Sequence, residues 1–179
     1  MEGVLKKDVL EKIRKTKILV LDVDGVLTDG GIFYDDDGVE TKRFDVKDGH
    51  GIKLAMKAGI DVAIVSARES RAVQCRAKNL GIELVYMGML DKLPAIQEIL
   101  NNKSLKINEV AYVGDDIVDL KVIGRVGFSV AVQDAVKEVR DRVDYVTAKA
   151  GGKGAVREVV ELILKSQNKW KDITDQYFS

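Results

Sequence analysis

The sequence predicts an α/β fold: a three-layer, Rossmann-like parallel sheet with helices on both faces and a β-hairpin inserted after the first strand. Three observations predict it. Short, unbroken apolar runs alternate with amphipathic stretches along the 179 residues, as expected of strands buried on both faces and joined by crossover helices. Glycines stand where several of the amphipathic stretches should stop. One β-rich segment, centred on Asp35-Asp36-Asp37-Gly38, interrupts the alternation.

The elements follow in order. Residues 1–17, "MEGVLKKDVLEKIRKTK", are charged and predicted helical, without the apolar core of a secretory signal. Strands are predicted at 17–23, 61–66, 83–87, 109–114, 126–132 and 144–147, each a short apolar run. Helices are predicted at 48–58, 69–80, 92–103, 116–124, 134–141 and 153–167. Gly59, Gly81 and Gly124 read as left-handed caps, and Pro94 as a first-turn residue whose missing N–H costs little. The segment 30–46, "GGIFYDDDGVETKRFDV", places β-formers on either side of "DDDG" and so reads as a hairpin, with Asp35, Asp36 and Asp37 in a solvated turn. Inserted directly after the first strand, it projects from the C-terminal edge of the sheet, where ligands bind in open α/β folds. Residues 168–179 are polar with scattered aromatics and read as a tail, frayed or docking.

Composition narrows the function. A chain of 179 residues fits one domain, expected to span 1–179. Lys+Arg and Asp+Glu number 29 each, and without a basic excess no nucleic-acid partner is expected. No apolar stretch approaches the ~20 residues of a membrane span, so no membrane partner and a cytoplasmic location are expected. Cys75 is the single cysteine, which excludes an intrachain disulfide or multi-cysteine metal site; it reads as a small apolar filler on a helix.

The chemistry lies in the aspartates. Asp22 and Asp24 end the first strand, and residues i and i+2 of an extended chain project to the same side. Carboxylates so close repel, so that one is protonated or both share a cation. A helix cap or turn would account for one aspartate and leave the other over. A second apolar run, "AYVGDDIVDL" (111–120), also ends in a carboxylate pair, Asp115 and Asp116, with Asp119 one turn on. Parallel strands end along one edge, so the two clusters can converge. Oxygen ligands without His or Cys select magnesium over zinc. Asp115 reads as the ligand, with Asp116 and Asp119 as caps or supports. Ser66 ends a third strand and Lys92 precedes a helix. A hydroxyl and a cation beside such a cluster suit an anionic group, phosphate above all.

In order and placement these residues resemble the four motifs of the haloacid dehalogenase superfamily: "DVDGVLT" (22–28) the first, Ser66 the second, Lys92 the third and "GDDIVD" (114–119) the fourth. The stretches "LTDGGIFYDDDGVETKRFDVKDGHGIKLAMKAGI", "RAKNLGI", "DKLPAI" and "AGGKGAVREVVELIL" are similar to its family of 3-deoxy-D-manno-octulosonate 8-phosphate phosphatases, a capless, homotetrameric branch. The resemblance implies no large cap domain. It implies Asp22 as nucleophile, Asp24 as general acid and base, and Ser66 and Lys92 on the phosphoryl oxygens. It implies Mg2+ held by Asp22, Asp115 and the Asp24 backbone carbonyl, and a sugar-acid phosphate of lipopolysaccharide precursor synthesis as substrate. It carries substrate contacts to Asp24, Asp45, Val46, Lys47, Asp48, Gly49, Lys53, Arg68, Arg76 and Lys92. The chain departs from the pattern at Asp45, where Asn is usual, at Lys53, where Arg is usual, and in "SARES" (66–70). Lysine is a point donor and not a bidentate fork, which leaves the sugar open between the octulosonate and a sialic-type nonulosonate 9-phosphate. His50 reads as rim packing, because the aspartates already supply acid and base. Lys153 and Arg157 are candidates to reach a neighbouring subunit's site, and the 30–46 hairpins to associate between subunits as a lid. A phospho-receiver domain shares the aspartates, hydroxyl and lysine, but needs no second acid at position 24.

Overall fold

The computed structural model describes residues 5–178. A parallel sheet of six strands runs in the order β5-β4-β1-β6-β7-β8, formed by β1 (Ile18–Leu21), β4 (Asp61–Val65), β5 (Leu84–Tyr86), β6 (Val110–Gly114), β7 (Phe128–Ala131) and β8 (Tyr145–Val146). Between them lie α2 (Val46–Lys57), α3 (Arg71–Leu80), α4 (Leu93–Lys103), α5 (Leu120–Ile123) and α6 (Lys137–Arg140), with α1 (Lys7–Lys15) before the sheet and α7 (Ala155–Ser166) and α8 (Trp170–Asp175) after it. The chain steps one way from β1 through β4 to β5 and the other way from β6 through β7 to β8. Right-handed crossovers therefore send the two sets of helices to opposite faces, and α7 returns to pack on α1 and α2. The reversal falls between β1 and β6, whose every residue is buried. Ligands of doubly wound sheets bind at such a switch point.

Register brings the strand ends together. Leu21 pairs with both Ile64 and Val113, and the Asp22 N–H donates to the Val113 carbonyl at 3.1 Å. The residues just past β1, β4 and β6 thus emerge side by side.

The hairpin forms but is short: β2 (Phe33–Tyr34) pairs with β3 (Glu40–Thr41) over two residues each. Its turn is closed by Asp35, whose Oδ1 accepts from the N–H of Asp37 at 3.0 Å and of Val39 at 2.8 Å. The three adjacent aspartates are exposed turn residues.

Several expectations need correction. Gly59 and Gly81 are left-handed, at φ 78° and 83°, but Gly124 is not, at φ −71°. After α5 the chain continues in right-handed turns, the Arg125 and Val126 N–H groups both reaching the Val122 carbonyl, and no reversal is needed. The helix expected at 116–124 divides into a 3-10 turn, Ile117–Asp119, and α5. The helix expected at 134–141 shrinks to α6 because the loop before it is already committed. The Val136 N–H donates to the Asp115 carbonyl and Asp134 Oδ1 accepts from the Gly151 N–H. Cys75 is exposed and fills nothing. The buried stripe of α3 is Val73, Ala77 and Leu80, which turns position 75 outward. The tail is not frayed: α8 forms, with Ile173 buried and Trp170 beneath the Arg157 and Lys165 cations at 5.3 and 5.4 Å. Of the helix expected at 1–17, residues 1–4 lie outside the described residues.

The loop at 150–154 closes against the end of β1. A Cβ on Gly151 would stand 1.7 Å from the Gly25 carbonyl oxygen, so backbone meets backbone there. Gly151→Ala is expected to destabilise the fold by about 1–3 kcal/mol through overpacking, read as a fall of several degrees in thermal unfolding.

Candidate active site

Asp22 lies one residue past β1 and is 6% exposed. Asp115 lies one residue past β6, and Asp119 ends the 3-10 turn beyond it. Each of the three brings a carboxylate oxygen to within 4.8 Å of the others. The two clusters read from the sequence therefore converge at the switch point.

Their environments differ. Asp119 is saturated: Oδ1 accepts from Lys92 Nζ at 2.7 Å and Tyr112 Oη at 2.6 Å, and Oδ2 from the N–H of Asp115 at 3.0 Å and Asp116 at 3.3 Å. It braces the loop after β6. Asp115 Oδ1, by contrast, is buried with no hydrogen-bond partner. Gly25, at φ 87°, presses against this side chain; a Cβ there would stand 2.0 Å from Asp115 Oδ2.

Lys92 caps the start of α4, fully buried, and its three N–H donors reach Asp22 Oδ1 at 2.8 Å, Asp119 Oδ1 at 2.7 Å and Tyr112 Oη at 3.1 Å. Burial opposes its charge, but Asp22 and then Asp119 outweigh that and hold the ammonium above its usual range. Burial first, and then the Asp119 charge, push Asp22 up to about 6 despite Lys92. Burial followed by the charges of Asp22, Asp119 and Asp116 pushes Asp115 up to about 8. Burial, reinforced by Asp119, drives the Tyr112 phenol well above its usual range. Oxygen donors, an orphaned buried oxygen and mutual repulsion together make a set of residues that fits a divalent cation.

Asp24 faces a different group. Its carboxylate Oδ1 pairs with Lys42, and Arg68 Nε lies 3.8 Å from its Oδ2. Strand alternation would have set the two aspartates on one side. The chain instead leaves the strand at Asp22 and turns from Val23 onward, with Val23 buried, so Asp24 departs from that expectation and meets its own partners. Ser66, just past β4, is buried, and its Oγ accepts from the Arg68 N–H at 3.2 Å.

The remaining predicted positions gather at the start of α2. Asp45 is its N-cap, accepting from Lys47 N–H at 2.7 Å and Asp48 N–H at 3.0 Å. Asp48 is buried and accepts from Gly154 N–H at 3.2 Å and Arg157 N–H at 2.7 Å, tying α2 to α7. Burial pushes it up to about 6, against the Arg157 N–H, with the Asp45 charge adding to the rise. Asp45 Oδ1 and both carboxylate oxygens of Asp48 thus accept from backbone donors. Gly49 is buried beneath Arg76, whose Nη2 donates to the Asp45 carbonyl at 3.2 Å. Val46, Lys47 and Lys53 are exposed. His50 is exposed, with Nε2 3.1 Å from Tyr177 Oη. Lys153 and Arg157 are paired within their own chain, with Asp29 at 3.5 Å and Glu161 at 2.8 Å.

Sequence reading missed Glu40, Lys42 and Tyr112. Tyr112 carried a signal: a phenol inside an all-buried strand needs a polar partner. Glu40 and Lys42 carried a weaker one, charges at i and i+2 on the hairpin.

A haloacid dehalogenase-like hydrolase family model matches residues 85–159. The 3-deoxy-D-manno-octulosonate 8-phosphate phosphatase KdsC of Escherichia coli K12 is 44% identical over 174 residues, 97% of this chain and 93% of its own. The chain belongs to this phosphatase family of haloacid dehalogenase-like hydrolases. Among solved structures, the family's enzyme from Moraxella catarrhalis, in complex with magnesium, phosphate and KDO, superposes with a TM-score of 0.92 at 40% identity, covering 95% of this chain and 98% of that one. The cobalt-bound phosphatase of Haemophilus influenzae gives 0.88 at 42% identity, covering 93% and 98%.

The phosphatase's acidic cluster sets its response to cation and pH. Asp115 rises from 3.8 to about 8 on folding, so its stabilising contribution is present at low pH and lost as pH climbs through about 8. Without added cation, unfolding free energy is expected to fall across that window. Saturating MgCl2 should restore it, by about 2.7 kcal/mol at a hundredfold excess over Kd. Asp115→Asn should flatten both responses. Thermal unfolding against pH, with MgCl2 or chelator, checks this.

Proposed function

We propose that the chain hydrolyses 3-deoxy-D-manno-octulosonate 8-phosphate to the free sugar acid and phosphate, with magnesium as cofactor, in lipopolysaccharide precursor synthesis in the cytoplasm. The observation that carries this reading is the convergence of Asp22 with the orphaned Asp115, Asp24 turned to its own partners alongside. The names and bound ligands of the relatives support the substrate.

Asp22, Asp115 and the Asp24 backbone carbonyl would hold the magnesium ion. When bound, the ion neutralises the clustered charge and draws electron density from the phosphoryl group. The chain's own residues account for the rest. Asp22 attacks phosphorus, forming a P–O bond to its carboxylate as the P–O bond to the sugar breaks, which gives an aspartyl phosphate. Asp24 supplies the proton that the departing sugar oxygen takes up. Its carboxylate then accepts a proton from the water that attacks phosphorus, the bond to Asp22 breaks and phosphate leaves. Ser66 and Lys92 bind phosphoryl oxygens, Lys92 exchanging one of its three present partners for the substrate.

We place residues 1–179 in one domain, with the hairpin in place of a large cap, and assign the homotetramer of the capless branch. Exposed Ile32, Phe33, Tyr34 and Val39 on the hairpin support association between copies. No helix among the described residues is long and apolar enough to cross a membrane.

A phosphate-release screen over sugar-acid phosphates, with magnesium or chelator, tests the substrate. The octulosonate 8-phosphate should be turned over fastest and chelator should stop it; faster release from a nonulosonate 9-phosphate would reassign the sugar. Asp22→Asn is expected to reduce release to background with the fold intact. Asp24→Asn should lower kcat roughly 10²–10⁴-fold, the range general acid–base groups contribute. Stable labelling of the chain without turnover would point instead to a receiver domain.

A further inference from the structure

Lys42 occupies a place that no residue with an expected role fills. It follows β3 on the hairpin, with its side chain 1% exposed. Its ammonium lies between two carboxylates, pairing with Asp24 Oδ1 on one side and standing 3.1 Å from Glu40 Oε1 on the other. Glu40 Oε2 takes Arg68 Nη2 at 2.5 Å, and Arg68 Nε returns to Asp24 Oδ2 at 3.8 Å. Asp24, Lys42, Glu40 and Arg68 thus close a ring of alternating charge. The ring joins three segments distant in the chain: the loop after β1, the hairpin and the loop after β4.

We propose that Lys42 is a positioning residue, which through this ring fixes the Asp24 carboxyl for proton transfer and pins the hairpin over it. The inference rests on Asp24 being the acid and base of the proposed reaction. Three considerations carry it. A buried ammonium is costly unless paired, and breaking one member leaves an uncompensated charge, so the ring holds together or fails as a unit. The hairpin, with two residues in each strand, cannot hold its own place by pairing alone; the ring, together with the Arg43–Asp29 ion pair, anchors it. The Asp24 carboxylate has no other polar partner among the described residues, so its direction depends on Lys42 and Arg68. A reacting group displaced by about 1 Å loses on the order of 10²-fold in rate.

The test compares leaving groups in the full-length chain. An alkyl phosphate (the octulosonate ester, or whichever sugar phosphate is turned over best) leaves as an alkoxide that needs a proton, whereas p-nitrophenolate needs none. Lys42→Met keeps the stem and removes the charge. It should slow single-turnover transfer of the phosphoryl group to Asp22 roughly a hundredfold from the alkyl ester, with KM changed less than about threefold, and less than about fivefold from p-nitrophenyl phosphate. The later hydrolysis of the aspartyl phosphate, which uses Asp24 as base whatever the leaving group, should slow alike for both. Lys42→Arg should recover most of the loss. Glu40→Gln, which breaks the ring more mildly, should move the transfer step the same way and stands in if Lys42→Met fails to fold. Amide exchange across 39–44 should quicken in both variants. Equal losses in the transfer step from the two esters, a loss confined to KM, or no loss would overturn the proposal. Asp24→Asn run alongside separates the readings. If it splits the esters and Lys42→Met does not, the ring's role fails alone; if Asp24→Asn shows no split, the acid–base reading fails and the positioning role with it.

Discussion

The buried Lys92 ammonium is the interaction on which the rest of the site depends. Its three donors are spent on Asp22, Asp119 and Tyr112, so that one cation ties together the ends of β1 and β6 and the start of α4. Three carboxylates still face that single ammonium, and Asp115 contributes an oxygen with no partner at all. Buried like charges at these separations persist only with protonation or a cation. A dication supplies the two positive charges the set lacks. The raised Asp22 and Asp115 express the same imbalance from the side of the proton.

A few residues away the electrostatics reverse. Asp24 lies among cations, with Lys42 and Arg68 beside it and Glu40 completing the balance. The turn that begins at the buried Val23 makes the division possible, because the chain leaves the extended conformation that would have kept the two aspartates on one face. Two carboxylates in contrasting surroundings are what a mechanism with one nucleophile and one acid–base group requires. The inner cluster stands on the strand ends of the sheet, and the outer ring ties the hairpin, through Glu40 and Lys42, to the loops after β1 and β4.

The floor beneath these groups is braced through backbone N–H groups and carbonyls, with two buried side chains, Thr28 and Asp48, accepting from them. The Val26, Leu27 and Thr28 N–H groups converge on the Val23 carbonyl, and Thr28 Oγ1 accepts from Gly25 and Gly30. Gly151 closes on Gly25, and the Asp48 carboxylate joins the first turns of α2 and α7. Such contacts hold a site within the narrow tolerance that positioned chemistry needs.

The order of strands and helices, the hairpin after β1 and the meeting of Asp22 with Asp115 were legible in the sequence. Buried parallel strands announce themselves as apolar runs, and parallel strands must end along one edge. The sequence also displayed every charged residue of the outer ring. It did not display their pairing, since Asp24, Glu40, Lys42 and Arg68 come from three segments and local periodicity says which way a side chain faces, not what meets it there. For the same reason Asp119 reads as one more acid among three until Lys92 and Tyr112 close on it, and nothing in the order of residues shows that Asp48 will be tied to α7. Gly124 and the short α6 show the limit at the level of backbone: a glycine or a polar loop permits a conformation, and long-range hydrogen bonds choose it. Covalent order by itself determined which charges the chain would bring to the sheet edge. Only the packing of non-adjacent segments decided which of them neutralise one another, because a Coulomb interaction depends on distance in space and not on separation along the chain.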